Sequence, residues 1–224
     1  MTPHQHTSRQ YEHELQDLRS KLLTMGATVE GMIILTSEML EHGNFSRIDE
    51  VIQKDPQVNQ MELDIDALCV RLLALRQPAA SDLRLITTGL KLTKELERIG
   101  DISVNIAKRG KSCEWTPGRA VWTELHPLIQ QALHMIHGSL DALAKNDVTQ
   151  AQQVCREDDV ADDAERLIIR KLIQLMQDKG MPIDNATSLV TIAKYYERLA
   201  DHSTNIAEMV IYMMTGQDVR HRRL

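Results

Sequence analysis

Residues 94–107 and 194–207 of this chain align without a gap, and eight of the fourteen positions are identical. Both copies contain Glu-Arg-x-x-Asp-x-Ser-x-Asn-Ile-Ala, from Glu97 and again from Glu197. Upstream the match is weaker, at an offset near 102. There Asn44 meets Asn146, Lys54 meets Arg156, Asp55 meets Glu157 and Val58 meets Val160. Such self-similarity predicts one structural unit used twice, about 100 residues each time.

The unit is helical. Leu15, Leu18, Leu22, Met25, Val29, Met32, Thr36 and Met39 step by three and four, an apolar stripe on one helical face. Gly43 can end that helix. A short helix over Ser46 to Lys54 is expected next. Asp55-Pro56 then reads as a cap and a first-turn proline opening another helix, which Pro78 ends. Ser81 or Asp82 can cap the one after it. Gly110 to Gly118, with Pro117, is the best linker. The same order follows it: a long helix, a turn at Lys145-Asn146-Asp147, a short helix, a longer one and a last helix from Asn185 to Met214. Aromatic residues make up only 3%, which agrees with helices and not with strands. The reading is all-α, with repeat units at 1–112 and 113–224. Amphipathic helices on short turns favour antiparallel bundles.

Charge and cysteine content exclude several classes. Net charge is -6, with 14 basic and 16 acidic residues before position 113 and 12 and 16 after it. Neither half has the basic excess of a nucleic-acid binder. Cys69, Cys113 and Cys155 form no C-x-x-C pair and read as reduced thiols of a cytoplasmic protein. The polar N-terminus has no signal-peptide core, and no apolar run is long enough to span a bilayer. Membrane contact is expected only through partners. No G-x-S-x-G and no phosphate-cradling loop occurs, so no nucleophilic enzyme is indicated.

The chemistry that remains is carboxylate chemistry. Glu97 and Asp101, four apart, share one helical face with Asn105, and Glu197, Asp201 and Asn205 repeat the row. The preceding helix supplies a second row, Asp55 and Asn59. In the second half Glu157 aligns with Asp55, but its i+4 residue is Ala161. The pair Asp158 and Asp162 restores the spacing after a one-residue shift. Facing rows of this kind suit Mg, Mn, Ca or Fe and tolerate Zn. The bland alternative is a pair of surface salt bridges, Glu97 with Lys94 and Asp101 with Arg98. Duplication in register weighs against it, as do the small neighbours Gly100, Ala200, Ser103 and Ser203. No Glu-x-x-His pair occurs, unlike ferritin-like bundles. His202 reads as a packing residue, its counterpart being Ile102. His126, His134 and His137 read as exposed polar positions, and Arg220 onward as a solvated tail.

Glu97-Arg98-Ile99-Gly100-Asp101 and its repeat resemble the PhoU family of bacterial phosphate-signalling regulators. So do Cys69-Val70-Arg71, Arg76 to Leu85, and Gly216 to His221. The likeness covers essentially the whole chain. It implies a tandem pair of three-helix bundles, commonly homodimeric. It also implies a cytosolic negative regulator of the phosphate-starvation response, linking the ATPase of an ABC phosphate transporter to a sensor histidine kinase. Metal binding at Glu97, Asp101, Glu197, Asp201 and Asp55 is implied as well. Departures from the family pattern stand at Ala161 and Ala200. The competing reading is a carboxylate-bridged di-metal enzyme, against which the lack of histidine at helical spacing argues.

Overall fold

In this computed structural model the chain is described at residues 3–113, 120–178 and 180–220. Seven helices occur among them: α1 (Pro3–His42), α2 (Ile48–Leu75), α3 (Ala80–Ser112), α4 (Ala120–Lys145), α5 (Val148–Arg156), α6 (Asp158–Gln177) and α7 (Ile183–Thr215). The first three pack on one another as one antiparallel bundle. α4, the broken rod α5–α6, and α7 form the second. The fold is a tandem repeat of two three-helix bundles.

Burial sets the register of the repeat. Leu22, Met25, Val29, Met32 and Ile33 fill the first core; Leu125, Leu128, Ala132, Met135 and Ile136, each 103 residues on, fill the second. The offset holds through the next helix, where Val51, Val58 and Ile65 recur as Val154, Ala161 and Ile168. Even the turn repeats: Gly43 and Asn146 both take positive φ, 61° and 55°. Asn44 accepts from Ser46 N at 3.0 Å, and Asp147 accepts from Thr149 N at 2.9 Å and Gln150 N at 3.1 Å. The last helices keep the offset of 100, with Gly100 and Ala200 both buried. Three residues are therefore lost between Ile168 and Ala200, and α7 starts three residues later in the register of 100 than α3 does, so the link 178–182 is one residue longer than 76–79.

Several local expectations change. The offset of 102 placed Val58 against Val160. Val58 is 1% exposed and Ala161 1%, while Val160 is 54% exposed, so the core partner is Ala161. Pro56 opens no helix: α2 runs unbroken through it. A proline there removes the N–H donor to Ile52 and sets its ring against that carbonyl, a cost of about 3 kcal/mol that the buried stripe Val51, Val58 and Ile65 on either side offsets. The break predicted at Asp55-Pro56 occurs only in the second half, at Glu157, which carries no proline. There Glu157 N bonds Val154 O at 3.1 Å and Val160 N bonds Glu157 O at 3.1 Å, a single tight turn. Ser81 and Asp82 lie inside the first turn of α3, whose N-cap is Ala79. α3 continues through Gly110 to Ser112; the rest of the expected linker, 114–118, lies outside the described residues. α1 starts at Pro3, well before the apolar stripe.

The bundles meet along a seam in which α1 packs on α4 and α3 on α7. Gly26 lets α1 approach α4: a Cβ there would lie 2.9 Å from Leu140 Cδ2. Fully buried Tyr196 on α7 reaches across to Ser37 on α1, hydroxyl to hydroxyl at 2.8 Å. At one end Arg84 Nε donates to Met213 O at 3.2 Å, tying the start of α3 to the last turn of α7.

Candidate functional site: two carboxylate rows

With the register at 103, the rows on α2 and α6 align without a slip. Asp55, Asn59 and Glu62 match Asp158, Asp162 and Glu165. Each row climbs one face by steps of four and three. Glu62 and Glu165 were missed in the sequence, although another helical step from Asn59 or Asp162 reaches them. Ala161 is no vacancy in the row, since it occupies the core position of Val58. At the crossing of α2 with α3, a Cβ on Gly100 would lie 3.5 Å from Val58 Cγ1. By the offsets of 103 and 100, Ala161 and Ala200 are the counterparts of that pair, and both are buried at 1% exposure.

In the first bundle Asp55, Glu62, Glu97 and Asp101 share a neighbourhood. Burial and then the charge of Asp101 raise the Asp55 carboxyl above its usual range. Burial and then Asp101 raise Glu97, with Glu62 adding to this and Arg98 and Lys94 opposing it. Basic groups offset part of the repulsion. Lys94 pairs with Glu62 rather than with Glu97. Arg98 lies 3.5 Å from both Glu97 and Asp101, so one of the two surface pairs expected from spacing is present. Asn59 is half-buried on the α2 row, and Asn105 is exposed.

The second row is more acidic. Asp162 stands where the first bundle has neutral Asn59, giving five carboxylates: Asp158, Asp162, Glu165, Glu197 and Asp201. Glu197 is pushed up to about 7 by burial, then by Asp201, Asp162, Glu165 and Asp158. Asp201, at the solvent edge, is raised by desolvation and by Asp158 and Asp162. Burial also raises Asp158, although Thr204 Oγ1 donates to it at 3.0 Å. Arg166 holds Asp162 at 2.8 Å and Asp163 at 2.9 Å.

Raised proton affinity in a carboxylate row means that a positive charge is wanted there. An oxygen-only donor set of this charge fits a hard divalent cation. Among the described residues, no three His, Cys, Asp or Glu side chains converge tightly enough to enclose a metal as they stand. A cation would have to draw the side chains together.

His134, His137 and His202 pair with carboxylates outside the two rows. His134 meets Glu157 at 3.3 Å and His137 meets Glu30 at 2.8 Å, both exposed. His202 packs, but as a polar bridge: its Nδ1 lies 2.7 Å from Glu95 Oε2, which also accepts from Asn205 Nδ2 at 3.0 Å. Glu95 carried no signal in the sequence, because its counterpart is Tyr195. Arg220 is no loose tail residue, being clamped to Asp218 at 2.5 Å beside the same seam; His221 to Leu224 lie outside the described residues. The three cysteines are free thiols, and burial raises all of them, Cys69 and Cys155 to about 12, which leaves them poor nucleophiles. No described helix is long and apolar enough to cross a membrane.

Two segments, 22–110 and 125–210, match the PhoU domain. The chain is 38% identical over 220 residues to a phosphate-specific transport system accessory protein PhoU homolog of Pseudomonas putida, covering 98% of this chain and 86% of that protein. It is 34% identical to the Escherichia coli K12 phosphate-specific transport system accessory protein PhoU, covering 96% and 90%. Among solved structures, PhoU from Pseudomonas aeruginosa superposes with a TM-score of 0.88 at 36% identity, covering 92% of this chain and all of that one. The phosphate transport system regulatory protein PhoU from Streptococcus pneumoniae gives 0.84 at 29%, covering 93% and 99%.

Proposed function

The chain belongs to the PhoU family, and on that premise we propose that it is a regulatory accessory protein of phosphate transport. Near-full-length likeness to accessory and regulatory proteins of that system supports the role. More finely, the chain is a cytoplasmic, non-enzymatic adaptor, working as a homodimer, that couples the ATPase of an ABC phosphate transporter to a sensor histidine kinase. It holds the starvation response down while phosphate is plentiful.

The observation that carries this reading is the duplicated carboxylate row. The two bundles each place an acidic face at the surface, suited to a cation or a basic partner. The thiol near the second row, Cys155, is pushed up to about 12 by burial and by the charges of Glu208 and Asp158, which makes it a poor nucleophile. Asp55, Asn59, Glu97 and Asp101 would hold a cation in the first bundle, and Asp158, Asp162, Glu197 and Asp201 in the second, with Glu62 and Glu165 extending each set. Mg, Mn, Zn and Fe all suit some part of this donor set. Bound there, the cation would supply charge neutralisation and a fixed bundle face for partners.

The test is deletion of the gene in a strain carrying a phosphate-responsive reporter. The reporter is expected to fire in high phosphate and to fall silent when the gene is restored. A reporter that stays repressed without the gene overturns the regulatory reading.

A further inference from the structure

The outer face of α2 carries a second kind of surface. Leu63 is 61% exposed and Val70 60%. With Pro56, Ala67 and Ala74, also exposed, they form one stripe along the helix, at steps of seven, four, three and four. The corresponding face of the second bundle lacks it; the exposed Val160 and Leu167 of α6 lie about a quarter turn away from that face. In the 103 register those five positions are Asp159, Arg166, Arg170, Ile173 and Gln177. The stripe is therefore no requirement of the bundle fold. Exposed apolar side chains aligned on one helix face from Leu63 to Ala74, rimmed by polar residues, are the pattern of an interaction site.

Its edges choose the occupant. One edge is acidic: Asp55, Glu62 and Asp66 on α2, then Glu97 and Asp101 on α3, against the cations Lys94, Arg98 and Lys108. The other edge holds Gln60, Asp64 and Arg71 and is neutral. Self-pairing fits badly. In an antiparallel pair related by a twofold axis, each edge faces itself, so acid would meet acid. In a parallel pair the acidic edge would meet Arg71, already offset by Asp64. We propose that the α2 stripe receives an amphipathic helix of a partner protein, with an apolar face and a Lys/Arg-rich edge lying over the acidic row. The site does not depend on which process the partner serves.

The probe is a labelled 18-residue helical peptide with leucines on one face and lysines along one edge, titrated onto the full chain by fluorescence anisotropy. Saturable binding is expected. It should weaken at least about tenfold in Leu63→Gln/Val70→Gln and fall as salt rises. Ile173→Gln, on the second bundle, should leave it unchanged, and circular dichroism should show all variants folded. A peptide that does not bind, or binds the double variant equally well, overturns the proposal. So does equal binding of the same peptide with glutamates along its edge. A wild-type dimer that the double variant converts to monomer assigns the stripe to a second copy of this chain. Binding to anionic vesicles that the double variant abolishes assigns it to a lipid surface. Either result also overturns the proposal.

Discussion

Glu95 on α3 and His202 on α7 meet across the seam, carboxylate oxygen to ring nitrogen at 2.7 Å, with Asn205 closing the other approach. Burial alone would raise the Glu95 carboxyl. The hydrogen bonds from His202 and Asn205, with the charge of His202, outweigh it and hold Glu95 below its usual range. A depressed carboxyl contributes stability above its unfolded pKa and loses it as pH falls through the folded value. His202→Ala leaves Glu95 enclosed with one partner fewer. It should lower stability by about 1–3 kcal/mol, seen as an earlier urea midpoint at pH 7. The gap between variant and wild type should narrow as the medium is acidified below pH 4.

The second carboxylate row has the opposite sign. Glu197, raised to about 7, binds a proton more tightly folded than unfolded. Its contribution is fully present below the unfolded value near 4.5 and is lost as pH rises through about 7. Glu197→Gln should therefore match wild type near pH 5 and exceed it at pH 8. Urea titrations at the two pH values decide this; a variant weaker than wild type at pH 8 would refute the crowding of that row.

Divalent cations should distinguish the two bundles. Added Mn should raise the melting temperature through the second row more than through the first, since a ligand stabilises in proportion to its affinity for the folded state. Asp162→Asn gives the second row the donor set of the first, and Asn59→Asp does the reverse. Calorimetric titration should show affinity falling in one variant and rising in the other. Equal isotherms for both would remove the role given to position 59/162.

Two glycines on α3 should respond in opposite ways to alanine. At Gly100 the new Cβ would meet Val58, Val29 and Met32 at 3.5–3.9 Å, ordinary contact. Gly100→Ala should be neutral or stabilising by up to about 1 kcal/mol, the helix-propensity gain. At Gly110 the Cβ would sit 2.7 Å from Leu40 Cδ2 and from the Phe45 ring. Gly110→Ala should cost about 1–3 kcal/mol as that packing is forced apart. Thermal melts of the two single variants read both outcomes.

Helices, repeat and the acidic rows on α3 and α7 were legible because helical spacing and identity agree there. Identity misled on α2 and α6. Val58 and Val160 share a name but not an environment, whereas Val58 and Ala161 share an environment and differ by two methyl groups. A core keeps position and approximate volume before it keeps residue type. Pro56 misled for a related reason: packing along α2 outweighs one missing hydrogen bond. The Glu95–His202 bridge was beyond reach, because it joins the halves while the repeat signal compares them, and Tyr195 and Ile102 break the correspondence. The α2 stripe was hidden likewise, since exposure, not spacing, separates it from a core face.

The seam pairs α1 with α4 and α3 with α7, each helix with its own counterpart. That is the geometry of an isologous dimer, in which one patch meets a copy of itself. A chain half this length could close the same interface as a symmetric pair. Fusion makes the association independent of concentration and lifts the demand that both partners stay identical. The one-sided bridge at Glu95, the extra carboxylate at Asp162 and the apolar stripe at Leu63, absent from the matching face of α6, are specialisations open to a tethered pair and closed to two identical chains.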